Sequence, residues 1–206
     1  MLSEGTRERP ESLVIRPPSE WRSVLVRLTR GCQWHRCLFC GIYPALGEPD
    51  FSARAVGEVK ADIDMLRRRV TRAETVFFGD GDPLQIGLGA FIEIARYLRQ
   101  VFPEVRRLTC YARASTLWTL KEAGIRQLAE AGLNRVHLGL ESGEPELLRF
   151  HRKGQRPETV IAACRWLKDA GIEISCYILL GMGGRDRWEA HADATAQVVT
   201  DRKSVV

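Results

Sequence analysis

Three cysteines fall within nine residues of the segment TRGCQWHRCLFCG, residues 29–41: Cys32, Cys37 and Cys40. Soft thiolates at this density select zinc, copper(I) or an iron-sulfur cluster. A structural zinc ion needs a closed tetrahedron, and His35 is the nearest fourth donor. A plant-type ferredoxin shares the x4, x2 spacing but needs a fourth cysteine, and Cys110 lies far along the chain. Three cysteines suffice for a four-iron cluster with one iron left open. The alternatives to that centre are a non-enzymatic iron-sulfur electron carrier and a zinc-stabilised binding module.

Further polar motifs recur downstream. Residues 78–83 read FGDGDP, with Asp80 and Asp82 flanking Gly81, a residue that lets a backbone approach a ligand closely. Residues 139–143 read GLESG, and by composition Glu141 and Ser142 could serve as a turn or helix cap. Residues 181–184 read GMGG, a loop signal beginning at Gly181. Arg113, Ser115 and Lys153 lie near the same places.

The elements that must position these groups are legible from periodicity. Short apolar, β-branched runs stand at Val24–Leu28, Thr75–Phe78, Leu108–Tyr111, Val136–Leu140 and Ile174–Leu180, each followed by a longer segment of helical period. Val56, Val59, Ile63, Leu66 and Val70 share one helical face, as do Leu88, Phe91, Ile92, Ala95, Leu98 and Phe102. Thr119 with Glu122 reads as a capping box opening the third long helix, and Pro157 opens the fourth. Gly132 and Gly171 each follow a helix and precede an apolar residue, the signature of a left-handed C′ position. Repeated β-α units imply a parallel sheet covered by helices, in a barrel or a doubly wound sheet. A cysteine loop stands after the first strand where a doubly wound fold usually carries a glycine-rich dinucleotide loop, which favours the barrel.

The bulk composition fits this reading. With 206 residues, 45% hydrophobic and 28% charged, the chain can build one compact core. Six cysteines, three of them crowded together, suggest a metal site in a reducing compartment rather than a secreted disulfide scaffold. The net charge of +5 is scattered in short groups and argues against a nucleic-acid partner. No apolar run is long enough to span a membrane and no leader precedes the core, so a cytoplasmic location is expected.

Taken together, the form TRGCxWxRCxFCG and the strand-end motifs resemble the radical S-adenosylmethionine (SAM) superfamily, in a bacterial branch with Cys-x4-Cys-x2-Cys spacing rather than the commoner x3, x2. The resemblance implies an α/β fold, a partial (β/α) barrel with about five of six β-α units present. It implies a 4Fe-4S cluster on Cys32, Cys37 and Cys40 and reductive cleavage of S-adenosylmethionine to a 5′-deoxyadenosyl radical. Phe39 would lie against the adenine and Asp82, sharing the role with Asp80 around Gly81, would bind the SAM ammonium. Glu141 and Ser142 would face the ribose or methionine moiety, Gly181 would pass beside the adenine, and Lys153 matches a basic position of the family. A reductant protein such as flavodoxin or ferredoxin is the implied partner, and the substrate is not specified. Four motifs follow four of the five strands at their C-terminal ends, where barrel enzymes build their sites.

Residues 1–22 read as an N-terminal extension and 23–200 as the core, incomplete because the chain stops before a sixth strand. The closing hexapeptide, residues 201–206, reads as the translation of a sequencing adapter and is expected to be a non-native tail.

Overall fold

The computed structural model describes residues 10–11, 15–47 and 50–200, so the expected tail lies outside the described residues. Strand β1 (Val24–Val26) is followed by two-residue strands β2 (Thr29–Arg30) and β3 (Ser52–Ala53), with the short helix α1 (Ile42–Ala45) between them. Helix α2 (Val56–Arg69), β4 (Thr75–Phe78), α3 (Leu88–Val101), β5 (Arg107–Ala112), α4 (Ala114–Glu130) and β6 (Leu133–Glu141) come next. After them stand α5 (Pro145–Phe150), α6 (Pro157–Asp169), β7 (Glu173–Ile178) and α7 (Trp188–Thr200).

Five strands form one parallel sheet in the order β1-β4-β5-β6-β7. The order never reverses. Successive right-handed crossovers therefore place their helices on one face, the winding of a barrel and not of a doubly wound sheet. This resolves the choice that periodicity left open.

Alternation along each strand separates two surfaces. Val76, Phe78, Leu108, Cys110, Val136 and Leu138 join Val59, Ile63, Phe91, Leu98, Leu128 and Leu167 in the core between sheet and helices. Phe77, Thr109, Tyr111, His137 and Tyr177 occupy the alternate positions and line the barrel interior. Burying a side chain such as Phe91 or Leu98, neither exposed at all, stabilises the sheet-helix packing by roughly 1.5–3 kcal/mol.

Most helix boundaries follow the sequence signals. Pro157 stands at the first position of α6, and Gly132 and Gly171 adopt φ of 97° and 74° after α4 and α6. The Ile172 N–H reaches back to the Leu167 carbonyl at 2.8 Å, closing a Schellman turn. One expectation fails: α4 begins at Ala114, not beyond Thr119, and the Thr119 hydroxyl donates to the Ser115 carbonyl at 3.0 Å instead of capping an N-terminus. The chain turns into the helix directly at the strand exit because Arg113, extended at φ −94° and ψ 142°, serves as N-cap. Helix α4 is interrupted at Lys121, where φ is 56°.

The N-terminal segment packs on the core. Glu11 receives Arg30 at 2.7 Å through both Nε and Nη2 and also pairs with Arg27 and Arg54. Glu20, in a 3-10 turn at Pro18–Glu20, is fully buried beneath the sheet. Among the described residues no helix is long and apolar enough to cross a membrane.

Candidate functional site

The cysteine loop leaves β2 and is closed by its antiparallel partner β3, with Thr29 opposite Ala53 and Arg30 opposite Ser52. Its far side rests on the loop after α5. The Trp34 indole N–H donates to the Arg152 carbonyl at 2.7 Å, and the Leu38 N–H donates to the His151 carbonyl at 3.0 Å. A Cβ on Gly154 would stand 2.1 Å from Trp34 Cζ2, so the indole seats only on a residue without a side chain. Phe39, half-buried, meets His151 edge-on at 5.9 Å between ring centroids.

Cys32, Cys37 and Cys40 are free and partly exposed, and their thiols interact electrostatically with one another. Burial pushes the Cys37 thiol up, while the charges of Lys153 and Arg113 pull it down. Two cations thus face a set of groups that must lose protons to bind a metal. Among the described residues no three His, Cys, Asp or Glu side chains converge closely enough for a single metal ion. His35 is exposed on the loop surface.

The turn after β4 abuts this loop. A Cβ on Gly81 would lie 2.9 Å from Cys32 Cβ and 3.2 Å from its Sγ, so the two chain segments touch. The flanking aspartates have different surroundings. Asp80, fully buried at φ 68°, accepts from Arg27 Nε at 2.7 Å in a buried ion pair. Asp82, 1% exposed, accepts from the Thr116 hydroxyl at 2.5 Å through Oδ2, while its Oδ1 is buried and has no hydrogen-bond partner. Burial pushes the Asp82 carboxyl up to about 6, against the lowering pull of Thr116 and Arg113. Arg113 interacts electrostatically with Cys32, Asp82 and Cys37 and lies over the Trp34 ring at 4.7 Å. The Tyr43 hydroxyl, also buried without a partner, interacts with Asp80, Cys32 and Cys40.

Two more strand ends complete the rim. Glu141, at φ 64° where the β6–β7 register shifts, accepts from Lys153 Nζ at 2.9 Å. That ammonium stands 5.9 Å from the Phe39 ring centroid and its backbone carbonyl receives Arg113 at 2.8 Å. Ser142 points elsewhere: it is fully buried, shares a hydrogen bond with His191 of α7 at 2.8 Å and receives the Glu144 N–H at 3.0 Å. Gly181, exposed at φ 81°, opens the turn after β7, and the Met182 carbonyl lies 3.2 Å from His151 Nε2. Cys32, Cys37, Cys40, Phe39, Gly81, Asp82 and Glu141 therefore share one rim. Asp80 is occupied by Arg27, and Ser142 is directed into α7.

Sequence reasoning missed Arg27, Thr116 and Tyr43. Arg27 had a signal, a charge inside the apolar run of β1. Thr116 and Tyr43 had none.

The family model described as "Radical SAM superfamily" matches residues 26–195. The tRNA uridine(34) acetyltransferase of Methanocaldococcus jannaschii is 37% identical over 65 residues, 32% of this chain and 12% of that protein. An uncharacterised methyltransferase of Pyrococcus horikoshii is 24% identical over 168 residues, 82% of this chain and 35% of the relative. Among solved structures, the cobalamin-dependent S-adenosylmethionine radical enzyme OxsB with aqua-cobalamin bound aligns with a TM-score of 0.70 at 18% identity, covering 91% of this chain and 28% of that one. At that identity the likeness is one of fold. The chain spans about a third or less of each of these proteins.

Proposed function

Since the chain belongs to the radical SAM superfamily, we propose that Cys32, Cys37 and Cys40 hold a 4Fe-4S cluster with one open iron and that the adjoining rim binds S-adenosylmethionine. When bound, the cluster supplies the electron that cleaves SAM reductively to methionine and a 5′-deoxyadenosyl radical. The observation that carries the reading is the contact of Cys32 with Gly81, one residue before Asp82, whose buried carboxylate keeps an oxygen without a hydrogen-bond partner. A buried carboxylate oxygen without a donor is costly to keep, and an ammonium would satisfy it with a charge-assisted hydrogen bond.

The remaining assignments follow from the surroundings of each residue. Asp82 takes the SAM ammonium alone, since Asp80 is neutralised by Arg27. Arg113 and Lys153 offset the negative charge of the thiolates. Phe39 and the turn at Gly181 receive the adenine, and Glu141 meets the ribose. Ser142 fixes the turn that presents Glu141 through its bond to His191. Residues 23–200 act as the core of a cytoplasmic enzyme served by a flavodoxin or ferredoxin, with Glu11 and Glu20 of the preceding segment pinned to it.

Anaerobic reconstitution with iron and sulfide, reduction, and electron paramagnetic resonance with and without SAM test this reading. A reduced-cluster signal that shifts on adding SAM is expected, together with its loss in Cys37→Ala. A cluster indifferent to SAM would instead favour electron transfer, and zinc without a cluster would overturn the assignment.

A further inference from the structure

The barrel interior below the rim carries polar groups that the SAM reading does not use. His137 on β6 is 2% exposed, and its two ring nitrogens have different neighbours. Nε2 lies 3.3 Å from Glu20 Oε1, and Nδ1 lies 3.2 Å from the Tyr177 hydroxyl. The Tyr177 ring stacks on the imidazole at 5.7 Å and 26°. Tyr111, opposite His137 in the β5–β6 register, packs edge-on against the imidazole at 5.9 Å and lies 6.3 Å from the Tyr177 ring. Phe77 closes the wall edge-on against both Tyr111, at 5.0 Å, and His137, at 5.9 Å.

The direction of every bond follows from the buried end. Burial alone would raise Glu20, yet hydrogen bonds from His137 and Ser23 and the charge of Arg107 hold its carboxylate below the usual range. An ionised carboxylate only accepts, so in the tautomer that makes this bond Nε2 carries the proton. Nδ1 is then an acceptor, and the Tyr177 hydroxyl donates to it. Burial pushes the phenols of both Tyr111 and Tyr177 up, so each keeps its proton at rest. The groups facing this chain from its neighbours are Ser23 beside Thr75, Arg107 on β5 and Glu141 at the end of β6.

We propose that Tyr177, His137 and Glu20 form an acid–base relay whose phenolic end, half-buried in the barrel interior, takes a proton from a hydroxyl-bearing substrate. The substrate O–H bond breaks toward the Tyr177 oxygen, and the Tyr177 proton passes to His137 Nδ1. The imidazolium formed is held against the Glu20 carboxylate. No electron is exchanged, and the reverse sequence returns the proton to product. A hydroxyl on a carbon that has lost a hydrogen atom is more acidic than its parent alcohol, so the relay suits a substrate radical of that kind; in this respect only, it rests on the proposed SAM chemistry. Assistance of this type is worth roughly 10²–10⁴ in rate.

Nitrogen-15 NMR of the histidine-labelled, cluster-free chain tests the relay independently of any cluster, with His137 assigned by its absence in His137→Gln. The expected spectrum has His137 protonated on Nε2 with Nδ1 as a hydrogen-bonded acceptor. In Tyr177→Phe the Nδ1 resonance should move to that of a free acceptor with the tautomer unchanged, and Glu20→Gln should mix the tautomers. A wild-type His137 protonated on Nδ1 would overturn the proposal, as would an Nδ1 resonance unmoved by Tyr177→Phe in a chain that circular dichroism shows to be folded. The wild-type tautomer decides the matter even where a variant does not fold. Loss of SAM binding with this tautomer intact would count against the cluster reading alone.

Discussion

Replacing Gly81 with alanine puts one methyl group into the contact between the β4 turn and the cysteine loop. The added carbon would stand 2.9 Å from Cys32 Cβ, 3.1 Å from its Cα and 3.2 Å from its Sγ. Carbon atoms at rest sit about 3.5–4.0 Å apart, so one of the two segments must move. Overpacking of this kind costs about 1–3 kcal/mol. The turn is held on both sides of Gly81, by Asp80 on Arg27 and by Asp82 on Thr116, whereas Cys32 is on a partly exposed loop. The loop is therefore the segment that yields, and the strain is charged to the geometry proposed to receive the cluster. On that basis cluster retention falls roughly 5–150-fold. Had the whole fold absorbed the strain, the melting temperature would drop by roughly 2–4 °C per kcal/mol. The assay is iron retained per chain against a competing chelator after anaerobic reconstitution, alongside thermal melting of the cluster-free protein. Weak retention with a nearly unchanged melting temperature is expected. Retention equal to that of the unaltered chain would refute the argument.

Two other substitutions probe the aspartates. Burial raises Asp82 to about 6 from an ordinary 3.8, so the native state binds its proton more tightly than the unfolded state does. Its contribution to stability is complete below pH 3.8 and drains away as pH rises toward 6, by about 3 kcal/mol in all. In urea titrations of the cluster-free protein, Asp82→Asn should therefore abolish that fall and be the more stable of the two at pH 7; parallel pH profiles for the two proteins would contradict the assignment. Arg27→Met breaks the buried ion pair with Asp80 and should cost about 3–5 kcal/mol, with part recovered in Arg27→Met combined with Asp80→Asn, as read from denaturant midpoints.

The β-α rhythm was legible because each strand between sheet and helices is a short apolar run, and because Gly132, Gly171 and Pro157 punctuate the helices as local rules require. The rim was legible where a motif is contiguous: the three cysteines, the Gly81 turn and Glu141. What stayed hidden depends on contacts between distant parts of the chain. Arg27 and Asp80 are fifty-three residues apart, and nothing local distinguishes Asp80 from Asp82. Ser142 belongs to the expected turn, but the arrival of His191 from α7 decides which way it points. Helix α4 opens at the strand exit because Arg113 is tied to Lys153, forty residues away. The interior positions of Tyr111, His137 and Tyr177 obey strand alternation, but their mutual contacts require neighbouring strands whose register no single run reveals.

The cysteine loop is gripped from two directions, by the β2–β3 ladder on one side and by the Arg152 and His151 carbonyls on the other. Fixing a backbone residue costs roughly 1–2 kcal/mol of conformational entropy, and here much of that ordering is met during folding, before any cofactor arrives. On the proposed assignment, incoming iron and sulfide encounter a mould already cast. The speed of maturation is then set by delivery of the inorganic parts rather than by a search among loop conformations. The loop after α5 becomes a lever on cofactor capture although it contributes no ligand of its own.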